Sequence, residues 1–240
     1  FSHPEHQGLY LALLKDNKSD GPSVDERIFS SPVTTRMPRY FTPLHHMLVS
    51  WLGLLSLVFW RVRAVNREGL DLDNCIIASN HQSNLDIIWI ASVLPHHRRK
   101  QVCAIGKKRL SFLRFLIPML PIIFVEEDNA LPSLKASADI LRAGNSLVIF
   151  PEGTRTSDGT VREFKNGAAY LARNLGKKIV PVSVTGAFEA YPSSNLLPRI
   201  FTKKQGKVVV GDPIDPRDFG SLDDLNAELR RAIIRNMEVS

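Results

Sequence analysis

Residues 75–94 read CIIASNHQSNLDIIWIASVL, and this stretch decides the fold. Cys75 to Ala78 is an apolar, strand-like run, and it stops at Asn80–His81. A second apolar run, Leu85–Leu94, then has the length of a helix, with Asp86 inside its first turn. A buried strand that delivers the chain straight into a helix is the repeating unit of a sheet covered by helices.

The pattern continues on both sides of this stretch. Strand-like runs occur at Val62–Val65, Gln101–Ile105, Ile122–Val125, Leu147–Phe150, Ile179–Val184 and Lys207–Val210. Helix-like runs at Leu131–Arg142 and Gly167–Leu175 lie between several of them. A last helix, SLDDLNAELRRAIIRNM, opens with Ser221 three residues before Asp224, the spacing of a capping box. The predicted class is therefore α/β, a mixed and mostly parallel sheet flanked by helices, over residues 62–240. Pro181 interrupts the strand KIVPVSVT, which demands a sheet edge or a bulge there.

His81 and Asp86 admit two readings. Ser83-x-x-Asp86 is a capping-box pattern, so the carboxylate can be a helix cap and the histidine an ordinary loop residue. In α/β folds, however, functional residues gather where strands hand the chain to the next loop. A histidine there can remove a proton from a hydroxyl, and a carboxylate on its other ring nitrogen fixes the tautomer and stabilises the imidazolium. Ser83 is a poor nucleophile candidate, because it is equally placed to cap the helix and no strained elbow pattern surrounds it.

A second constellation, IFPEGTRTSDG (149–159), follows the strand Leu147–Phe150. Pro151 and Gly153 set a tight turn, and Arg155 projects from it with backbone N–H groups nearby, good chemistry for a phosphate or a carboxylate. The plainer reading is a surface turn closed by a Glu152–Arg155 ion pair.

Upstream, residues 1–40 are polar and read as a tail or linker, with one short helix near LYLALLK. Residues 41–61 read as a membrane-associating helix. Its run Met47–Trp60 is about 14 residues long and carries no charge, short of the roughly 20 apolar residues a span needs. It suits a helix lying in the interface, with Trp51 and Trp60 at the headgroups and Arg61 and Arg63 at its end. The alternative is a core helix of the domain.

The whole chain has 240 residues, 44% of them hydrophobic, and a net charge of +7. That length builds one sizeable core, and the charge favours anionic partners such as nucleic acid, membrane surfaces or phosphorylated small molecules. A nucleic-acid domain would need a basic stripe interleaved with exposed aromatics, and here the aromatics sit in apolar runs. The hydrolase elbow Gly-x-Ser-x-Gly is absent from the sequence. Cys75 and Cys103 lie in apolar runs without neighbours at metal-ligand spacing, so two buried free thiols are expected. The chain opens on Phe1, which reads as a fragment or a processed chain.

Taken together, these blocks resemble the glycerolipid acyltransferase family, whose best-known members are the lysophosphatidic acid acyltransferases. Asn-His-x-x-x-x-Asp is matched by Asn80, His81 and Asp86. Phe-Pro-Glu-Gly-Thr-Arg is matched by Phe150 to Arg155, Phe-Lys-x-Gly-Ala by Phe164, Lys165, Gly167 and Ala168, and the Val/Ile-Pro-Val block by Ile179 to Val182. The blocks come in order over about residues 58–215.

The resemblance implies a glycerol-3-phosphate acyltransferase-like fold with an N-terminal membrane-anchoring helical segment. It implies acyl transfer from acyl-CoA or acyl-carrier protein to a lysophospholipid hydroxyl, with 1-acyl-sn-glycerol 3-phosphate the first acceptor and phosphatidate the product. His81 would be the general base, oriented by Asp86. Glu152, Gly153, Thr154 and Arg155 would hold the acceptor, with Lys107 near its phosphate. Apart from the acyl donor as co-substrate, no cofactor and no metal is expected. Partners would be the membrane lipid surface and the two substrates, not nucleic acid, and the location a membrane's cytoplasmic face, the inner membrane if bacterial. The basic clusters HHRRK (96–100) and KKR (107–109) would face anionic lipid.

One position departs from the family's pattern. IFVEED places Glu127 where the family's Phe-Ile-x-Arg motif has a phosphate-binding arginine. A glutamate there repels phosphate, so either Arg155, Lys107 or another basic residue takes the phosphate over, or the acceptor is another lysolipid such as lysophosphatidylethanolamine or an ornithine-type lysolipid. A non-catalytic membrane module of the same fold is the competing class, and loss of His81 or Asp86 would mark it. Both residues are present.

Overall fold

The structure is a computed structural model, and it describes residues 25–30, 32, 33, 35, 42–95, 102–107, 122–125, 130–192, 194, 195 and 197–238. Seven strands form one sheet: β1 (Arg63–Val65), β2 (Ile76–Ser79), β3 (Val102–Lys107), β4 (Ile122–Val125), β5 (Ser146–Ile149), β6 (Ile179–Thr185) and β7 (Lys207–Val210). Their spatial order is β1-β7-β6-β2-β5-β3-β4. The strands β6, β2, β5, β3 and β4 run parallel, while β7 is antiparallel to β6 and carries β1 with it.

Among the described residues the α-helices are α1 (Thr42–Trp60), α2 (Leu85–Val93), α3 (Ala130–Arg142), α4 (Gly167–Leu175), the single turn α5 (Ala187–Ala190) and α6 (Leu222–Glu238). The expected mixed, mostly parallel sheet flanked by helices is therefore the observed one. Each predicted strand within the described residues lies within one residue of its place at both ends, except β3, which runs two residues past the predicted Ile105.

Burial follows the strand alternation. All of β2 is buried. Ile77 faces a core shared with α1 and α2, and Ile76 and Ala78 face a second core shared with α3, α4 and α6. Each fully buried aliphatic side chain stabilises the fold by about 1.5–3 kcal/mol relative to exposure. Both cysteines are free and buried, as their apolar settings implied, and burial pushes the Cys103 thiol up to about 12.

Pro181 lies in an interior strand, not at an edge. Gly211 donates to its carbonyl at 2.8 Å, and the β7 chain resumes pairing only at Ile214, so the residues between bulge past the ring that has no N–H. The bulge alternative was the correct one.

Two sequence expectations change at the N-terminal side. The described residues before α1 are not all tail or linker. A π-helical turn, Glu26–Ser30, packs against α3 with Ile28 fully buried, Phe29 lies 5.5 Å from the Tyr170 ring, and Thr35 donates twice to the buried Asp139. The short helix expected near LYLALLK falls outside the described residues. The helix α1 is also part of the domain's own packing. A Cβ on Gly53 would stand 3.1 Å from the Ser92 side chain, so the two helices meet at a residue without one. Trp60 is buried beside Trp89 and donates to the Arg199 carbonyl at 2.7 Å, which removes it from any headgroup role. Trp51 is exposed. Among the described residues, no helix is long and apolar enough to cross a membrane.

Candidate active site

The parallel strands β2, β5, β3 and β4 deliver their carboxyl ends to one edge of the sheet, and the sequence-predicted residues collect there. Beyond β2, the Asn80 side chain bridges to β6: its amide donates to the Val184 carbonyl at 2.9 Å, and its oxygen accepts from the Val184 N–H at 2.8 Å. This double bond closes the end of the β2–β6 pair and sets where the next residue, His81, leaves the sheet.

His81 Nδ1 lies 2.8 Å from Asp86 Oδ2. The same carboxylate oxygen accepts from the backbone N–H groups of Gln82 (2.7 Å) and Ser83 (2.8 Å). Ser83 Oγ in turn accepts from Leu85 N–H at 3.2 Å. The capping and base-orienting readings of Asp86 are thus one geometry. The carboxylate reaches back from the first turn of α2 over the loop and meets the imidazole on the way. An ionised acceptor facing Nδ1 calls for a proton on that nitrogen, which leaves Nε2 with the free lone pair.

The Phe150 ring stacks on the imidazole, centroids 4.1 Å apart and planes 17° from parallel. Ser83 is fully buried and donates its hydroxyl to the Tyr191 carbonyl at 2.8 Å, so it is not presented as a nucleophile.

Asp86 has no exposure, and its second oxygen, Oδ1, meets no donor. Burial raises the Asp86 carboxyl above the ordinary carboxylate range. The His81 and backbone N–H bonds oppose that rise without cancelling it.

The turn after β5 is tied to His81 twice. Thr156 N–H donates to the His81 carbonyl at 2.8 Å, and His81 N–H donates to Glu152 Oε1 at 2.8 Å. Glu152 Oε2 accepts from Arg162 N–H at 3.1 Å. The side chain is buried, and burial raises its carboxyl as well.

The Glu152–Arg155 ion pair of the plainer reading is not formed. Glu152 instead spans two backbone amides and welds the turn to the histidine loop. Nothing in the spacing of Phe-Pro-Glu-Gly-Thr-Arg marked this inward-facing role; only the excess of backbone donors at a tight turn could have hinted at it. Gly153 holds φ 71°, its N–H closes the turn on the Phe150 carbonyl, and the Lys165 side chain lies across it. Thr154 is exposed and Arg155 half-buried, one residue before the link from Thr156 to His81.

Lys107 ends β3 in register with Val125, at the same sheet edge two strands from β2. Glu127 and the cluster HHRRK (96–100) lie outside the described residues.

The arrangement makes a prediction about Glu152. Glu152→Gln turns one of the two side-chain oxygens that accept from backbone N–H groups into a donor, and an unsatisfied buried N–H costs about 1–3 kcal/mol. A domain of this size is expected to lose roughly 2–4 °C of Tm per kcal/mol. In a steady-state assay kcat should fall while the acceptor KM stays near its wild-type value. A raised KM with unchanged kcat would instead mark Glu152 as an acceptor ligand.

The chain also resembles known proteins. The family profile described as Acyltransferase matches residues 39–185, more than half of the chain. A chloroplastic 1-acyl-sn-glycerol-3-phosphate acyltransferase of Brassica napus is 26% identical over 88% of this chain and 61% of its own length. A probable 1-acyl-sn-glycerol-3-phosphate acyltransferase of Mycoplasma pneumoniae is 28% identical over 69% of this chain and 66% of its own. The chain therefore spans about three fifths to two thirds of these curated relatives. The crystal structure of the 1-acyl-sn-glycerophosphate acyltransferase PlsC from Thermotoga maritima superposes with a TM-score of 0.69 at 26% identity, over 82% of this chain and 80% of that one. On the matched profile and the shared architecture, this chain belongs to the acyltransferase family.

Proposed function

We propose that the chain is an O-acyltransferase that moves a fatty acyl group from acyl-CoA or acyl-carrier protein to the free hydroxyl of a lysophospholipid. The acceptor we assign first is 1-acyl-sn-glycerol 3-phosphate, the substrate named for the relatives. The observation that carries the reading is the His81–Asp86 pair, 2.8 Å apart, at the carboxyl edge of the sheet.

In this mechanism His81 Nε2 takes the proton of the acceptor hydroxyl as its oxygen attacks the thioester carbonyl carbon. Asp86 stabilises the imidazolium. The tetrahedral intermediate collapses with cleavage of the carbon–sulfur bond, and the imidazolium returns the proton to the leaving thiolate. No enzyme nucleophile is needed, in keeping with the buried Ser83. Oxyanion donors would come from the Pro151–Arg155 turn, apart from the Gly153 N–H already engaged within it. Arg155 and Lys107 would take the acceptor phosphate.

The substrates place the chain on a membrane. The outward side of α1 suits that location, because Met47, Trp51, Leu54, Leu57 and Val58 are all more than half exposed. We assign α1 to the interface, lying on the cytoplasmic leaflet rather than crossing it.

The test is thiol release on acyl-CoA with a panel of acceptors read by mass spectrometry: lysophosphatidate, lysophosphatidylethanolamine, lysophosphatidylglycerol and lyso-ornithine lipid. Lysophosphatidate is expected to lead. A lead by an amine-bearing lysolipid that reverses in Glu127→Arg would give head-group selection to Glu127. No thiol release with any acceptor and either donor would leave the non-catalytic module.

A further inference from the structure

We propose that the loop Leu197–Phe201 is a second membrane-inserting element, fixed beside α1 so that the two form one lipid-docking face at the active-site end of the sheet. The proposal rests on the interfacial reading of α1 and extends it to residues that no motif marks. Leu197 is 73% exposed, Ile200 56% and Phe201 72%. Among the described residues after α5 they are the large exposed apolar side chains, and they lie within five residues of one another.

The loop is tied to α1 across more than a hundred residues of sequence. Trp60 Nε1 donates to the Arg199 carbonyl at 2.7 Å, Gly206 N–H to the Trp60 carbonyl at 2.8 Å, and Gln205 Nε2 to the Arg61 carbonyl at 2.8 Å. The Phe201 ring meets Phe59 of α1 edge-on, centroids 5.5 Å apart. Phe201 holds φ 58°, a costly conformation for a bulky residue, and the ring it presents stays mostly in water. An ordered loop that holds apolar side chains outward needs a partner to cover them.

The surroundings favour lipid. Arg199 and Lys203 are exposed within two residues of Ile200 or Phe201 in the chain, Arg61 and Arg63 are exposed just past the end of α1, and the chain carries a net charge of +7. Apolar tips within a basic rim match a bilayer with anionic headgroups. The location also fits. Arg63 pairs with Lys207, and Lys207 with Thr185 at the carboxyl end of β6, so the loop and the end of α1 stand at the sheet edge that carries His81. The substrates proposed above would enter from that side.

The test uses a solvent-sensitive dye on cysteines introduced singly as Phe201→Cys, Leu54→Cys on α1, and Ala143→Cys on the opposite face. Cys75 and Cys103 are buried and stay unlabelled in the folded chain. On vesicles of phosphatidylcholine mixed with phosphatidylglycerol, the first two labels are expected to shift to the blue and to be quenched by spin-labelled acyl chains, and the third to do neither. Leu197→Ser/Phe201→Ser, with an unchanged melting curve, should weaken vesicle partition about 10–100-fold. Loss of binding on phosphatidylcholine alone or at high salt would assign the remainder to the basic rim.

A Phe201 label that stays in water while the Leu54 label enters the bilayer overturns the loop and leaves α1 as assigned. Both labels in water overturn the loop and α1 together. A Phe201 label that becomes buried without vesicles, in proportion to protein concentration, would give the face to a second copy and overturn the lipid assignment.

Discussion

His81→Ala is expected to lower acyl transfer by about 10²–10⁴-fold, the usual contribution of a positioned general base. The fold should survive, because the imidazole is a partly exposed side chain with 21% accessibility and the loop around it is held by backbone bonds from Thr156 and to Glu152. Thiol release and a thermal melt on the same preparation separate the two quantities. A well-folded variant that keeps more than a few per cent of the rate would remove His81 from the chemistry.

The pH dependence of that melt carries its own sign. Asp86 is raised by burial in the folded chain, against about 3.9 unfolded. The folded protein therefore holds the proton to higher pH, and ionisation of Asp86 costs stability as pH rises through its folded value. Removing the imidazole takes away the strongest of the partners that oppose the rise. The Tm gap between wild type and His81→Ala should accordingly be smallest in acid and widen toward neutral pH. A constant gap would mean that Asp86 is neutral, or ionised, throughout the range.

Much of this was legible in the sequence because the signals were local. Strands buried on both faces read as continuous apolar runs, so Cys75–Ala78 and Ile179–Val184 identified themselves. The His81–Asp86 contact spans five residues, and a capping-box spacing already dictates that the carboxylate turns back over the loop.

What stayed hidden depends on partners far along the chain. Trp60 reads as an interfacial aromatic until Arg199, 139 residues later, supplies the carbonyl that takes its N–H. Glu152 reads as a site carboxylate until His81 and Arg162 bring it their amides. The turn at Ile28 has too few apolar residues for any period, and α3, with Tyr170 of α4, gives it a surface to cover. Pro181 was readable as an anomaly, but its cause, the bulge before Ile214, belongs to another strand.

Asp86→Asn is expected to show the second largest loss, about 10²–10⁴-fold in kcat, with little or no fall in Tm. All three N–H groups that meet Asp86 converge on one oxygen, Oδ2, while Oδ1 meets no donor. An asparagine can therefore place its carbonyl oxygen at the Oδ2 position and keep all three bonds, with its NH₂ where Oδ1 was. The opposite orientation would aim two N–H donors at three others. The cap and the histidine's orientation survive the first arrangement; the negative charge does not. The imidazolium that forms during proton transfer then loses its counter-charge in a site with no water exposure at Asp86, where charge interactions are strongest. Stability moves the other way. The wild-type carboxylate, raised by burial, is destabilising once ionised, and the amide does not titrate. The Tm of Asp86→Asn relative to wild type should therefore rise with pH. Loss of rate at near-constant or higher Tm assigns Asp86 to catalysis through His81. A lowered Tm with an intact rate would return it to capping alone.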